Sequence, residues 1–296
     1  MSEKVAAVVV TYNRKILLPE CLDGLLTQTA YIDKIIIIDN ASTDGTYELL
    51  KEKGYLNRTN IVYHSLLSNT GGAGGFNAGL QEALLGNCDW FWLMDDDVAP
   101  EPACLENLLK YTKMSECIHP RKTLPDNEFH KWEHNLDLAT LGRTNVNDIS
   151  FENGKSITFV NIGCFEGMLV SRRIVNTIGL PDPVYFISED DTLFGLKASA
   201  HTNVAYVASA LMKKLIPLGV ASPWKVYFLV RNQFYLRKDG LKYFKIKTTK
   251  KDNLLFILSQ LIEVLRFSRK GRQFIFPAFR GFFHGIRYQR SSNFRA

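Results

Sequence analysis

Short apolar runs alternate with amphipathic segments over the first hundred residues. Four runs have the length and composition of buried strands, at residues 5–10, 34–38, 61–64 and 90–94. Helical patterns lie between them, first at residues 17–27. This alternation predicts an α/β fold with a parallel sheet, whose ligands bind at the carboxyl ends of the strands. Three polar residues fall at that predicted edge: Thr11, Asp39 and Asp95.

The fourth run ends in three adjacent carboxylates, Asp95, Asp96 and Asp97. Asp is rare in strands and costly to bury without a partner. A hard divalent cation is the natural partner, because it prefers oxygen ligands and leaves room for substrate phosphates. An Asp-rich turn that caps the next helix is the alternative. The triplet therefore predicts a metal site at the sheet edge.

Two further segments carry candidate chemistry. Residues 69–79 hold closely spaced glycines before a helix, which suits either backbone contact with a phosphate or a flexible turn. Residues 184–187 predict an extended segment, with Ser188 as the N-cap of a helix whose first turn contains Asp190 and Asp191. The helix dipole alone favours acids there. Near a metal-type triplet, however, such a carboxylate also suits a general base.

The middle of the chain is less regular. Residues 101–114 predict a helix, and strands are expected at 157–162 and 168–170. Between them, residues 120–154 are polar and weakly periodic, which predicts an insertion over the site. Trp132 in this segment either stacks on a sugar or is buried.

The charge is unevenly distributed. The chain carries a net charge of +6, yet residues 212–296 hold 19 Lys and Arg against three acids, so the first 211 residues are net acidic. We predict a catalytic domain over residues 1–211 and a basic helical region over 212–296. Such a region suggests an anionic partner. Nucleic acid ranks last, because no recognition motif accompanies the charge.

The apolar segment at residues 253–267 is too short for the ~20 residues that a bilayer span requires. With its basic and aromatic surroundings it predicts a helix at an anionic membrane surface; the alternative is a helical pair packed on the catalytic domain or on a second subunit. Five cysteines form no C-x-x-C pair and no secretory leader precedes them. We therefore expect reduced thiols and a cytoplasmic protein, peripheral at the inner face of the cell membrane.

An ordered set of motifs resembles glycosyltransferase family 2 of the GT-A fold: TYNR, IIDNASTDGT, NTGGAGGFNAGL, WLMDDDVAPEP and SEDDTLFGLKA, with WKVYFLVRN behind them. The resemblance covers about residues 5–237. MDDD together with GGAGGF is most similar to galactofuranosyltransferases, whereas rhamnosyltransferases usually have Asn-x-Asp at the first two acids. A sugar nucleotidyltransferase would carry a Gly-rich basic loop after the first strand, which TYNRKILLPE is not.

The resemblance implies a metal-dependent, inverting transfer of galactofuranose from UDP-galactofuranose to a hydroxyl of a glycan or lipid-linked glycan. A rhamnosyl or pyranosyl transferase of the same family and a non-catalytic glycan-binding homologue are the alternatives. A homo-oligomer is compatible with either.

The resemblance also assigns roles to individual residues. Asp95 and Asp97 would ligate Mn²⁺ or Mg²⁺, Asp191 would be the base, and Asp190 would orient the acceptor or the base. The family's additional His ligand corresponds to Lys213, which would contact the diphosphate instead. The nucleotide side would be formed by Thr11, Asn13, Arg14, Asp39, Asn69, Gly72 and Asp96. Acceptor contacts would come from Trp132, Phe165 and Glu166.

Overall fold

The first half of the chain has the predicted alternation of strands and helices. The computed structural model describes residues 3–146, 151, 153–219 and 221–288. Its first elements are β1 (Val5–Thr11), α1 (Leu18–Leu26), β2 (Lys34–Asp39), α2 (Thr46–Glu52), a 3₁₀ turn (Tyr55–Asn57), β3 (Ile61–Ser65), α3 (Gly71–Leu85) and β4 (Trp90–Asp95). β1 lies between β2 and β4, β3 follows β2, and all these pairs are parallel. The predicted parallel sheet is confirmed, with Thr11 opposite Asp39 at its carboxyl edge.

The second half of the sheet is mixed. Its elements are β5 (Val98–Pro100), α4 (Cys104–Leu109), β6 (Cys117–Thr123), β7 (Phe129–His130), β8 (His134–Leu136), β9 (Arg143–Asn145), β10 (Ile157–Val160), β11 (Met168–Ser171), α5 (Arg172–Ile178), a 3₁₀ turn (Pro183–Tyr185), α6 (Asp190–Ala198) and β12 (Val204–Lys214). Beyond β4 the order is β11, β6, β12 and β10. β11 is antiparallel to β4 and β6, and β12 is parallel to β6.

The predicted insertion begins inside the sheet, so its start at residue 120 is wrong. β6 lies between β11 and β12, and its residues 117–120 are buried. This strand contains several polar residues, so its hydrophobic periodicity does not identify it as a strand. The rest of the segment contains β7 and the small sheet of β8 and β9, while residues 147–150 and 152 lie outside the described residues.

Alternate residues of the central strands enter two different cores. Val5, Ala7 and Val9 of β1 pack with α1 and α4 on one face of the sheet. Ala6 and Val8 pack with α3, α5 and α6 on the other. Because both faces are covered, these strands have no polar side, as expected for buried parallel strands.

The glycine-rich segment is helical, which corrects the prediction that residues 69–79 form a loop. α3 begins at Gly71, and its glycines allow the helix to lie close to β1. A Cβ at Gly75 would lie 2.4 Å from Val10, and one at Gly79 would lie 2.3 Å from Val8. Close packing against the sheet therefore outweighs the low helix propensity of glycine.

Three helices complete the described part of the chain: α7 (Pro223–Phe244), α8 (Lys250–Arg269) and α9 (Arg272–Arg287). α8 contains the predicted helix at 253–267. These helices share a core with Tyr185, Leu193 and Leu196 around α6. The predicted division after residue 211 falls inside β12, so the basic region is continuous with the catalytic unit. Among the described residues, no helix is long and apolar enough to cross a membrane.

Candidate active site

Three carboxylates meet where β4 ends. One oxygen from each of Asp95, Asp97 and Glu166 lies within 4.8 Å of the others. Asp95 ends β4, and Asp97 lies in the turn that leads to β5. Glu166 arrives from the opposite direction, because β11 runs antiparallel to β4 with Met168 opposite Leu93. The structure therefore brings Glu166 to the predicted metal ligands, whereas the sequence assigned it to the acceptor.

Two buried lysines bind Glu166. Lys122 Nζ lies 2.8 Å from Glu166 Oε2, and Lys214 Nζ lies 2.5 Å from Oε1. Burial by itself would raise the pKa of Glu166, but the two ammonium groups hold it below its usual range. Glu166 is therefore ionised and fixed in position.

The lysine that faces this cluster is Lys214 and not Lys213. Adjacent side chains of a strand point to opposite faces of the sheet. The backbone of Lys213 pairs with Thr123 and Ala99. Among the described residues, neither of these two lysines lines the cleft. The contact of Lys213 with a diphosphate stays a prediction, and Lys214 is the lysine that binds Glu166.

The carboxylate cluster fits a hard divalent cation. Burial raises the pKa of Asp95 well above its usual value, and Asp97 and Glu166 raise it further by repulsion. Asp97 Oδ1 is buried and has no hydrogen-bond partner in the described part of the chain. A cation with oxygen ligands would relieve both the repulsion and the missing contact. Unlike Asp97 Oδ1, the carboxylate of Asp96 has a hydrogen-bond donor, the Tyr12 N–H at 3.3 Å.

A cleft of about 500 Å³ opens above these carboxylates. This volume lies within the range of roughly 300–1,000 Å³ for small-molecule sites. A Cβ added at Gly72 would meet no atom within 4 Å, so the start of α3 is open to a ligand. The cleft wall includes Thr11, Tyr12, Arg14, Asn69, Gly72, Asp95, Asp96, Asp97, Phe165, Glu166, Asp190, Asp191, Trp224 and Lys225.

Two predicted nucleotide contacts, Asn13 and Asp39, do not belong to that wall. Asn13 Oδ1 accepts the N–H of Thr43 at 2.7 Å. Asp39 accepts the N–H of Ser42 at 2.7 Å and the hydroxyl of Tyr63. Asn13 therefore connects the loops that follow β1 and β2, whereas Asp39 binds its own loop and β3. Each carboxylate oxygen of Asp39 can still accept a second bond.

Asp190 and Asp191 lie across the cleft from the β4 carboxylates, at the start of α6. Burial raises the pKa of both, to about 6 for Asp191 and well above its usual value for Asp190. The predicted N-cap at Ser188 is wrong: the helix begins at Asp190 after a turn in which Phe186, Ser188 and Glu189 all have positive φ. Residues 184–187 are accordingly not an extended segment. Non-glycine residues persist in such conformations only where their surroundings fix them.

Asn232 of α7 fixes this turn. Its side-chain amide donates hydrogen bonds to the carbonyls of Tyr185, Ile187 and Ser188, at 2.8 to 2.9 Å. Arg231 adds bonds to the carbonyls of Val184 and Tyr185. Both residues are buried. The motif WKVYFLVRN thus holds the turn that precedes Asp190, a role that the sequence alone did not reveal.

The family model of glycosyl transferase family 2 matches residues 6–178, which is more than half of the chain. The chain belongs to glycosyl transferase family 2. It is therefore a glycosyltransferase, as predicted.

Curated relatives extend the likeness over nearly the whole chain. The galactofuranosyltransferase GlfT1 of Mycobacterium tuberculosis is 28% identical over 300 residues, covering 92% of this chain and 97% of the relative. GlfT1 of Mycolicibacterium smegmatis is 29% identical over 196 residues, covering 64% of this chain and 63% of the relative. The predicted likeness to galactofuranosyltransferases is confirmed.

Solved structures confirm the predicted GT-A fold. GalNAc-T7 with UDP, GalNAc and Mn²⁺ superposes with a TM-score of 0.62 at 14% identity, covering 84% of this chain and 56% of that chain. Staphylococcus aureus TarS 1-349 in complex with UDP-GlcNAc gives a TM-score of 0.56 at 15% identity, covering 97% and 92%.

Aromatic residues differ in their relation to the cleft of this family 2 enzyme. Phe165 lies in the cleft wall and packs between Phe76 and Phe194. Trp132 is not among the described residues of that wall; its ring instead contacts Lys122, the partner of Glu166. Trp224 and Tyr12 were not predicted, yet both line the cleft, and they are 42% and 44% exposed. Both rings are therefore accessible to a sugar in the cleft.

Proposed function

We propose that this enzyme transfers galactofuranose from UDP-galactofuranose to a hydroxyl of a glycan or lipid-linked glycan, with inversion and with a divalent metal. The observation that carries the proposal is that one cleft holds both the cluster of Asp95, Asp97 and Glu166 and the raised-pKa pair Asp190 and Asp191. The first set suits a diphosphate with its metal and the second suits an acceptor hydroxyl. The similarity to GlfT1 supports galactofuranose as the sugar.

Asp95, Asp97 and Glu166 would hold Mn²⁺ or Mg²⁺. A bound cation at this position supplies electrostatic stabilisation of the departing diphosphate. Arg14 and Lys225 line the same cleft and place fixed positive charge near the donor. Lys225 also lowers the pKa of Asp97, although burial raises it more. This chain therefore offers both anionic and cationic groups to a metal-bound nucleotide diphosphate.

Asp191 is proposed as the base that takes the proton of the acceptor hydroxyl. Its pKa of about 6 leaves it ionised at neutral pH and basic enough to accept a proton. Burial and the neighbouring Asp191 raise the pKa of Asp190 well above its usual value. Asp190 lies in the cleft wall next to Asp191, which suits a residue that orients the acceptor or the base. Attack by the deprotonated hydroxyl from the face opposite the diphosphate inverts the anomeric centre.

The experiment is a panel of UDP, GDP and dTDP sugars, titrated calorimetrically with and without Mn²⁺ and then assayed for transfer and for donor hydrolysis. We expect metal-dependent binding of UDP sugars and turnover with UDP-galactofuranose. Turnover with another nucleotide sugar would show that the transferred sugar is rhamnose or a pyranose and not galactofuranose. Binding of glycans without metal-dependent nucleotide binding or turnover would contradict the proposal and favour a non-catalytic homologue.

Asp191→Asn is the matched variant for this panel, because it keeps the size of the side chain and removes its basicity. Donor binding should be unchanged, whereas transfer should fall at least ~100-fold. Normal transfer by Asp191→Asn would show that another carboxylate of the cleft is the base.

A further inference from the structure

The outer face of α8 is apolar and exposed. Its inner face is already packed, since Phe256, Gln260 and Val264 are buried against the rest of the protein. The exposed residues recur at helical spacing, and each is at least 37% exposed: Leu254, Leu255, Leu258, Leu261, Ile262 and Leu265. These exposed residues are not needed to hold α8 in place, because its buried residues already pack it against the rest of the protein.

The neighbouring helix α9 has the same arrangement. Phe274, Ala278 and Phe282 are buried against α7, and a separate set of large apolar residues is exposed. That exposed set is Ile275, Phe276, Phe279, Phe283 and Ile286. α8 and α9 contact one another, so the two exposed apolar faces lie on adjacent helices; together they are called the apolar surface here. A soluble protein rarely exposes such a surface unless a partner covers it.

Basic residues surround this surface. Residues 250–287 contain eight Lys and Arg but only two acids, Asp252 and Glu263. Both acids are engaged locally, Asp252 in the cap of α8 and Glu263 with Arg266. The link between the two helices concentrates Arg269, Lys270 and Arg272, which are all exposed. The surface therefore combines apolar side chains with a strongly positive rim.

We propose that the outer face of α8 and α9 docks this enzyme on the surface of an anionic lipid bilayer. Apolar and aromatic side chains interleaved with Lys and Arg are the composition of helices that lie in the membrane interface. The acyl-chain boundary takes up the leucine and phenylalanine side chains, while the basic rim contacts anionic headgroups. A second copy of the chain is the less favoured occupant, because a symmetric interface would bring two copies of the same positive rim together.

The test is flotation of the full-length protein with vesicles of phosphatidylcholine alone or mixed with phosphatidylglycerol, at low and high salt. Leu258→Ser combined with Phe279→Ser removes apolar contacts from both helices. Its control is Leu85→Ser, at an apolar position on α3 that is even more exposed than Leu258 and Phe279. Arg269→Gln, Lys270→Gln and Arg272→Gln together remove part of the rim. Their control replaces the exposed Lys51, Lys53 and Lys113 by Gln.

We expect the unmodified protein to float with anionic vesicles at low salt and to be released at high salt. The triple rim variant should bind at least about tenfold more weakly, since each basic residue near an anionic leaflet contributes roughly fivefold. The double apolar variant should also lose binding, and both controls should retain it. Equal melting temperatures would show that the variants are folded.

Three outcomes would overturn the proposal. The first is that the protein floats with none of the vesicles. The second is that it binds vesicles and neither the double apolar variant nor the triple rim variant weakens this binding. The third is a dimer in sedimentation velocity that Leu258→Ser with Phe279→Ser dissolves, without any vesicle binding; a second copy would then cover the surface. None of these measurements uses sugar transfer, so they remain informative whichever donor the enzyme takes.

Discussion

Replacement of Lys214 by methionine should separate the stability of the carboxylate cluster from its affinity for metal. Lys214 Nζ lies 2.5 Å from Glu166 Oε1, and Lys122 binds the other oxygen. Lys214→Met keeps the length of the side chain but leaves three carboxylates facing one ammonium group. Without metal, the free energy of unfolding should fall by about 1–3 kcal/mol, the range for a buried polar group that loses one partner.

Metal affinity should change in the opposite direction. A cation ligated by the cluster would lie roughly 5 Å from the lysine ammonium, and even in bulk water that repulsion amounts to about 1.7 kcal/mol for a divalent ion. Lys214→Met should therefore bind Mn²⁺ at least about tenfold more tightly in the absence of nucleotide. Measurement at mildly alkaline pH is needed, because Lys214 lowers the pKa of Asp97 and its loss favours protonation of that carboxylate.

The assay combines thermal unfolding with and without Mn²⁺ and Mn²⁺ titration followed by electron paramagnetic resonance. Lys213→Met is the matched control, since the adjacent lysine contributes its backbone to the same strand and does not contact Glu166. It should change stability by no more than about 0.5 kcal/mol and leave Mn²⁺ affinity unaltered. Weaker Mn²⁺ binding by Lys214→Met, or an effect of equal size from Lys213→Met, would refute the assignment of Lys214 to the cluster.

Three other substitutions test the remainder of the site. Asp97→Ala should abolish transfer and metal-dependent UDP binding without unfolding the protein; calorimetric retention of metal-dependent binding would contradict its role as a ligand. The rate of transfer should rise as pH increases through about 6, where Asp191 loses its proton, and this dependence should be missing from the residual activity of Asp191→Asn. Asn232→Ala removes the side-chain donor from the carbonyls of Ile187 and Ser188, whereas the carbonyl of Tyr185 keeps its bond from Arg231. It should lower transfer while metal-dependent UDP binding persists, and equal loss of both would show that the whole cleft has collapsed.

Local sequence pattern was sufficient for the parallel half of the sheet and for the position of Asp95 and Asp97 at its edge. The residues from Trp90 to Met94 are all buried, so an uninterrupted apolar run marks the strand and its end. Asp95 and Asp97 follow immediately, and their position requires no knowledge of distant segments.

Glu166 and Lys214 depend instead on contacts between distant parts of the chain. Glu166 reaches Asp95 only because β11 runs antiparallel beside β4, in a register that residues 164–168 do not themselves specify. For Lys214 the obstacle is a bulge: the pairing of β12 with β6 shifts between Val207 and Leu211. Relative to β6, β12 has three additional residues at this bulge, and an odd number of additional residues reverses which side chains face the site. Counting along the strand from a family motif therefore selects Lys213, whereas the structure places Lys214 against the carboxylates.

The turn that precedes Asp190 also depends on a distant part of the chain, and the structure shows the physical reason. Ser188 before an acidic stretch has the composition of an N-cap, and locally that conformation is favourable. The chain instead adopts positive φ at Phe186, Ser188 and Glu189, because the buried amide of Asn232 and guanidinium of Arg231 occupy the carbonyls of the turn. Those donors lie more than forty residues further along the chain. The turn that places Asp190 and Asp191 in the cleft is thus fixed from a distance, because residues in such conformations persist only where their surroundings hold them.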